Sequence, residues 1–380
     1  MKKRWLLLIL FLIPTFVYAE DSELASHAKS AILIEASSGK ILYEKEINQE
    51  LSIASMTKMV AQIIIMEEIE KGNIHWDDVV TVSRNASGMG GSQIYLEEGE
   101  KMSVEDLMKG ISVASGNDAT VAMAEYISGS EEKFVERMNA KVKELGLRHT
   151  HFVNSTGLDE EGHYSSSYDM AMIARDLVVH HSDILKFSSI YEDYLREDTD
   201  RKFWLVNTNK LISQYEGTDG LKTGHTDLAG YCLAATAERS DLRLIAIVLG
   251  EEESKVRNAE TIQLLDYGFA NTKLKVLKKK NSVVDSISFD KADKTNVSVV
   301  LKNSLSAVED FDDNNQYDYQ IHYNSYSLPL KSGDVIGRMD ALLHKQVVSS
   351  SELIVLEDVQ KLSLLQLFKQ KFESLIFGHF

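Results

Sequence analysis

The chain has 380 residues, a formal charge of −17 at pH 7, 44% apolar residues and 26% charged ones. This is the composition of a folded protein, long enough for two domains. The acid excess argues against a nucleic-acid partner, which calls for a basic stripe. The single cysteine, Cys232, excludes an intrachain disulfide framework and a cysteine-based zinc cluster.

Lys2, Lys3 and Arg4 precede an apolar run from Trp5 to Val17, and Val17-Tyr18-Ala19 supplies small residues at the −3 and −1 positions of a cleavage site. Residues 1–19 read as a secretory signal peptide, because the run is short for a bilayer span of about 20 residues. Losing those three positive charges takes the net charge from −17 to −20. The mature protein is expected outside the cytoplasm.

Residues 31–36 and 40–45 read as two strands joined by the turn Ser37-Ser38-Gly39. Residues 55–71 form a long apolar helix ending at Gly72. Residues 103–145 are helical in three pieces, with breaks near Ser115-Gly116-Asn117 and Ser128-Gly129-Ser130; 167–178 is a further helix. After Gly217 the pattern changes to strands at 219–224, 230–237 and 242–249. A two-strand start, a helical middle and a strand-rich return predict an α+β domain over 20–272, an antiparallel sheet flanked by helices with a helical subdomain. Residues 273–358 alternate, as in Val297 to Leu301 and Tyr317 to Tyr323, and predict a small all-β domain.

Residues 359–380 close the chain. On a wheel of 100° per residue, Leu365, Phe368, Phe372, Leu375 and Ile376 share one side, with Gln366, Gln370, Glu373 and Ser374 opposite. Charges interrupt the run too often for a spanning helix, so residues 361–380 are expected to lie in the plane of a membrane surface. An acidic body is repelled by anionic lipid, so apolar burial has to supply the attachment.

Serine followed three residues later by lysine occurs five times, starting at Ser26, Ser37, Ser55, Ser130 and Ser288. Position separates them. Ser37 falls in a hairpin turn, Ser288 in the β domain, Ser26 near the mature N-terminus, and Ser130 reads as a helix cap. Ser55 opens an apolar helix in which only Thr57, Lys58 and Gln62 are polar up to Met66. Spacing of three places Ser55 and Lys58 on one face, and a buried lysine needs a reason. On this pair alone, a cap with a snorkelling lysine accounts for the sequence equally well. Two further motifs decide: Ser115-Gly116-Asn117 in a turn between helices, and Lys222-Thr223-Gly224 on a strand, the one Lys-Thr-Gly in the chain. The ordered trio is the specific signal.

With these motifs the sequence resembles the penicillin-binding D-alanyl-D-alanine carboxypeptidases of the low-molecular-mass class. The likeness extends to Gly88 through Tyr95, Ala114 through Ala119, the Lys-Thr-Gly-His-Thr segment, the β domain and the amphipathic tail. It implies that Ser55 is the acylated nucleophile and Lys58 its base, with Ser115 catalytic beside them. Asn117, Lys222, Thr223, Gly224 and His225 would bind substrate, and the backbone N–H groups of Ser55 and His225 would receive the oxyanion. The implied partners are a peptidoglycan stem peptide ending in D-Ala-D-Ala and β-lactam antibiotics, with no cofactor and no metal. Position 116 is Gly, where class A β-lactamases carry Asp. A β-lactamase and a non-catalytic wall-binding module are the competing readings.

Residue chemistry sets the requirement. A serine hydroxyl is a weak nucleophile without a base, and Lys58 can be that base only when neutral. From a free pKa of about 10.4 that takes a drop of roughly three units. Burial and a second cation, Lys222, both act in that direction. Gly224 is expected to leave room for close backbone approach. His149 and His151 are set aside as loop residues, Cys232 as buried and inert, and Asp118 as a helix N-terminal charge.

Overall fold

A computed structural model of the chain describes residues 24–311 and 313–368. The expected signal over 1–19 and most of the amphipathic tail lie outside these residues.

The strand Ser30–Glu35 is buried at all six positions, as a continuous apolar run predicts for a central strand. It pairs antiparallel with Ile41–Lys45 on one side and with Leu242–Glu251 on the other. Gly230–Arg239 and then Thr218–Thr226 complete a five-stranded antiparallel sheet. The first two strands and the last three meet in one sheet because Ile32 pairs with Ile247 across 215 positions of sequence.

Alternation gives the sheet two apolar faces. Ile32, Ile34, Ala234, Ile245 and Ile247 face the helical subdomain. Ala31, Leu33, Leu233, Leu244 and Ala246 face a helix at Ser254–Asn271. The sequence reading did not anticipate that helix. Gly268 explains its close approach: a Cβ there would run into the side chains of Leu244 and Leu33.

The helical middle resolves into Val104–Val113, Asn117–Ser128 and Glu131–Glu144, with the two expected breaks between them. Gly129 ends the second at φ 80°, and Ser130 caps the third through Lys133 N–H. The remaining predicted helix runs Ser167–His180. The apolar helix begins differently from the expectation. Ala54–Thr57 is a 3-10 turn, and the α-helix proper is Lys58–Glu70.

The C-terminal part is all-β. Thr272–Lys278 pairs with Leu305–Asp310, and five further strands form one antiparallel sheet over Val297, Val299, Leu301, Ile336, Leu353 and Val355. Lys40 Nζ reaches across to Asp310 Oδ1 at 3.4 Å.

Candidate active site

The Ala54–Thr57 turn, which carries Ser55, sits against the edge of the main sheet. Thr218–Thr226 is the last strand of that sheet, so its outer edge has no strand partner among the described residues. Gly224 stands where the turn crosses this edge, and a Cβ there would collide with Ile53 O and crowd Ala54 Cβ. The close approach that Gly224 permits is therefore by the chain's own Ala54–Thr57 turn.

Lys58 is wholly buried, a position its charge would not tolerate without partners. Its Nζ lies 2.9 Å from Ser55 Oγ, 2.7 Å from Asn117 Oδ1 and 2.6 Å from Thr156 O. Asn117 is oriented by its own amide, whose Nδ2 donates to Gly90 O at 2.7 Å, so Oδ1 turns to the lysine. Burial pushes the Lys58 pKa well below its ordinary value; the Lys222 cation adds to this and Asp118 opposes it.

Lys222 is also buried, with Nζ donating to Thr223 O at 3.0 Å. Burial and the Arg257 cation bring it down to about 7. Thr223 Oγ1 donates to Thr208 Oγ1 at 2.7 Å. Ser115 sits at φ 62°, in the left-handed region, and is 3% exposed; its hydroxyl has no hydrogen-bond partner among the described residues. A buried, unpartnered hydroxyl costs stability, so a ligand that bonds it recovers that cost. His225 is exposed on the strand edge, its ring stacked on Tyr231 at 4.0 Å.

Asp118 builds the wall. It accepts from Ile94 N–H at 3.1 Å, Leu96 N–H at 3.0 Å and Ala119 N–H at 2.8 Å, tying the Gly88–Tyr95 run to the Asn117 helix. Gly116 leaves it room, since a Cβ there would press on Asp118 Oδ1. Cys232 is buried, and burial raises its thiol to about 11, so it is protonated and unreactive.

The turn, the Ser-x-Asn loop and the Lys-Thr-Gly strand thus meet, Lys58 bonding to Ser55 and Asn117 and Gly224 abutting Ile53 O. The family model Peptidase_S11, D-alanyl-D-alanine carboxypeptidase, matches residues 17–253. The chain belongs to this family. A second model, the C-terminal domain of penicillin-binding protein 5, matches 273–361. The chain is 46% identical to D-alanyl-D-alanine carboxypeptidase DacF of Bacillus subtilis (strain 168) over 92% of its own length and 90% of the relative's. It is similar to the crystal structure of penicillin-binding protein 5 from Haemophilus influenzae, with a TM-score of 0.69 and 32% identity over 89% of this chain and 98% of that one. It is also similar to penicillin-binding protein D2 from Listeria monocytogenes in its ampicillin-bound form, with a TM-score of 0.59 and 30% identity over 66% of this chain and 99% of that one. The protein is a D-alanyl-D-alanine carboxypeptidase with a penicillin-binding-protein fold.

Four contributors to the carboxypeptidase site escaped the sequence reading. Thr156 acts through its backbone carbonyl, Gly157 through the space it leaves, Thr208 through its bond to Thr223 and Arg257 through its charge on Lys222. A carbonyl carries no sequence signal. Arg257 lies on the unanticipated helix.

Proposed function

We propose that the enzyme removes the terminal D-alanine from peptidoglycan stem peptides through an acyl-enzyme on Ser55, and that β-lactams acylate the same serine. The observation that carries this reading is the set of three contacts at Lys58 Nζ. A neutral amine has two hydrogens and one lone pair. Asn117 Oδ1 and Thr156 O can only accept, so they take both hydrogens. The lone pair is left for the Ser55 hydroxyl, 2.9 Å away.

From that arrangement Lys58 takes the Ser55 proton as Oγ attacks the penultimate D-alanine carbonyl. The oxyanion receives hydrogen bonds from the Ser55 and His225 backbone N–H groups; one such donor is worth about 3 kcal/mol. Lys58 then returns its proton, through the Ser115 hydroxyl, to the leaving amine. Thr223, with the Lys222 and Arg257 cations behind it, holds the terminal carboxylate. The extended stem lies along the open edge of Thr218–Thr226, and water hydrolyses the acyl-enzyme. Positioned proton transfer of this kind contributes about 10²–10⁴ in rate. The ampicillin-bound form of the Listeria relative supports β-lactam binding at this fold.

The same reading places the mature protein on the outer face of the cytoplasmic membrane, held peripherally by residues 361–380. Leu364 and Leu365 at the start of that segment are 87% and 80% exposed, as an unburied apolar face requires.

Mass spectrometry of the penicillin adduct tests the acyl-enzyme. Wild type is expected to gain one penicilloyl group on the peptide containing Ser55, and Ser55→Ala none. Equal labelling of both removes Ser55 from the mechanism.

A further inference from the structure

His163 belongs to none of the motifs, yet its ring is 7% exposed and both nitrogens are committed. The Val153 N–H donates to Nδ1 at 3.2 Å. An amide N–H can only donate, so Nδ1 carries the lone pair and Nε2 the proton. Nε2 then donates to Thr57 Oγ1 at 2.8 Å, and Thr57 donates to Ala54 O at 2.8 Å. Burial, with a contribution from His151, pushes the ring down to about 4. The neutral tautomer that this relay needs therefore persists through the physiological range.

The relay ends on the peptide unit joining Ala54 to Ser55. That unit is planar and trans, so its C=O and N–H point in opposite directions. Holding the Ala54 carbonyl therefore aims the Ser55 N–H. The hold is needed, because Ala54 sits at φ 46°, a conformation that costs an L-residue about 1–2 kcal/mol. The first N–H of the turn to bond back along the chain is Met56, to Ile53 O at 3.2 Å, so the Ser55 N–H lies ahead of the helical ladder.

We propose that His163 is a positioning residue that aims the Ser55 N–H at the oxyanion, acting through Thr57 and the Ala54–Ser55 peptide plane. This deepens the acyl-enzyme reading and rests on it. It assigns His163 no contact with substrate and no proton transfer.

The test uses the full-length enzyme and three variants, His163→Ala, His163→Gln and Thr57→Val. Gln can reproduce the relay, with Oε1 accepting from Val153 and Nε2 donating to Thr57. Two quantities separate aim from general damage. One is the acylation rate constant for penicillin against its initial dissociation constant. The other is inhibition by a peptide boronic acid, whose tetrahedral adduct places an oxygen at the oxyanion position. His163→Ala and Thr57→Val are expected to acylate about 10- to 100-fold more slowly, less than the loss of a whole donor. Initial penicillin affinity should stay within about twofold, while boronate affinity falls by the same factor as acylation. His163→Gln should recover most of the loss. Wild-type acylation in Thr57→Val overturns the proposal, as does a His163→Gln defect as large as that of His163→Ala. Wild-type enzyme that never acylates Ser55 removes the underlying reading first, and this proposal with it.

Discussion

Gly157 backs onto the carbonyl of Ala54, so close that a Cβ at position 157 would overlap that oxygen. The neighbouring Thr156 carbonyl accepts from Lys58. One short loop thus braces the turn that carries Ser55 and holds the lysine. Gly157 also sits at φ +86°, where an L-residue is strained by about 1–2 kcal/mol before any clash. Gly157→Ala is expected to lower stability by more than that strain alone and to slow penicillin acylation by at least about tenfold. Denaturant melts and acylation kinetics check it. A variant with wild-type stability and rate would show that the loop yields freely.

Burial depresses both lysines, and to it the Lys222 cation adds at Lys58 and the Arg257 cation at Lys222. In the proposed mechanism acylation requires neutral Lys58, so its rate is expected to rise with pH as the ammonium deprotonates. Removing one depressing cation moves that limb to higher pH. Lys222→Met is therefore expected to shift the acid limb of the acylation profile upward, besides lowering its plateau. An unmoved limb would mean that burial alone sets the Lys58 pKa.

Away from the cleft, Glu251 is 1% exposed, and neither carboxyl oxygen accepts a hydrogen bond from the described residues. Burial and the adjacent Glu260 push its pKa well above the ordinary carboxylate range. The folded state therefore holds this proton more tightly than the unfolded chain. The resulting stability is present below the unfolded pKa, about 4.3, and is lost as pH rises through neutrality. Wild type is expected to lose melting temperature between pH 6 and pH 9, and Glu251→Gln to flatten that fall. Identical slopes in calorimetry would assign the fall to other groups.

The amphipathic reading of residues 361–380 makes a separable prediction. Wild type starting at residue 20 should co-sediment with zwitterionic lipid vesicles, and high salt should not release it, because apolar burial would supply the attachment. A chain truncated after residue 360 should stay in the supernatant. Equal sedimentation of the two chains would place the membrane contact elsewhere.

Much of the chemistry was legible because it resides in side chains at short, fixed spacings. Ser55 and Lys58 share a helical face, and the Ser115 and Lys222 motifs are read directly. Three of the five sheet strands, Ser30–Glu35, Gly230–Arg239 and Leu242–Glu251, were visible because buried strands are written as apolar runs, Ala31-Ile32-Leu33-Ile34 above all. The helix Ser254–Asn271 was not, because its buried face includes Arg257, Glu260 and Thr261 beside Leu264 and Leu265. Polar residues on the inner face erase the apolar periodicity that marks a helix. The short strand pairs Val79–Thr81 with Lys101–Ser103 and Glu192–Leu195 with Phe203–Val206 gave too few positions for alternation to register. Thr156, Gly157 and His163 were invisible for another reason. Their contributions are a carbonyl, an absent side chain and a relay to a peptide plane, all created by the fold.

The protonation state of Lys58 in the resting enzyme is the most direct measurement. With lysine labelled at Cε and Nζ, and a Lys58→Met variant to assign the signal, NMR titration should show Lys58 losing its proton well below the 10.5 of a free side chain. The acid limb of acylation should follow the same titration. A Lys58 ammonium that stays protonated through pH 9, in enzyme that acylates normally below it, would contradict the account at its base.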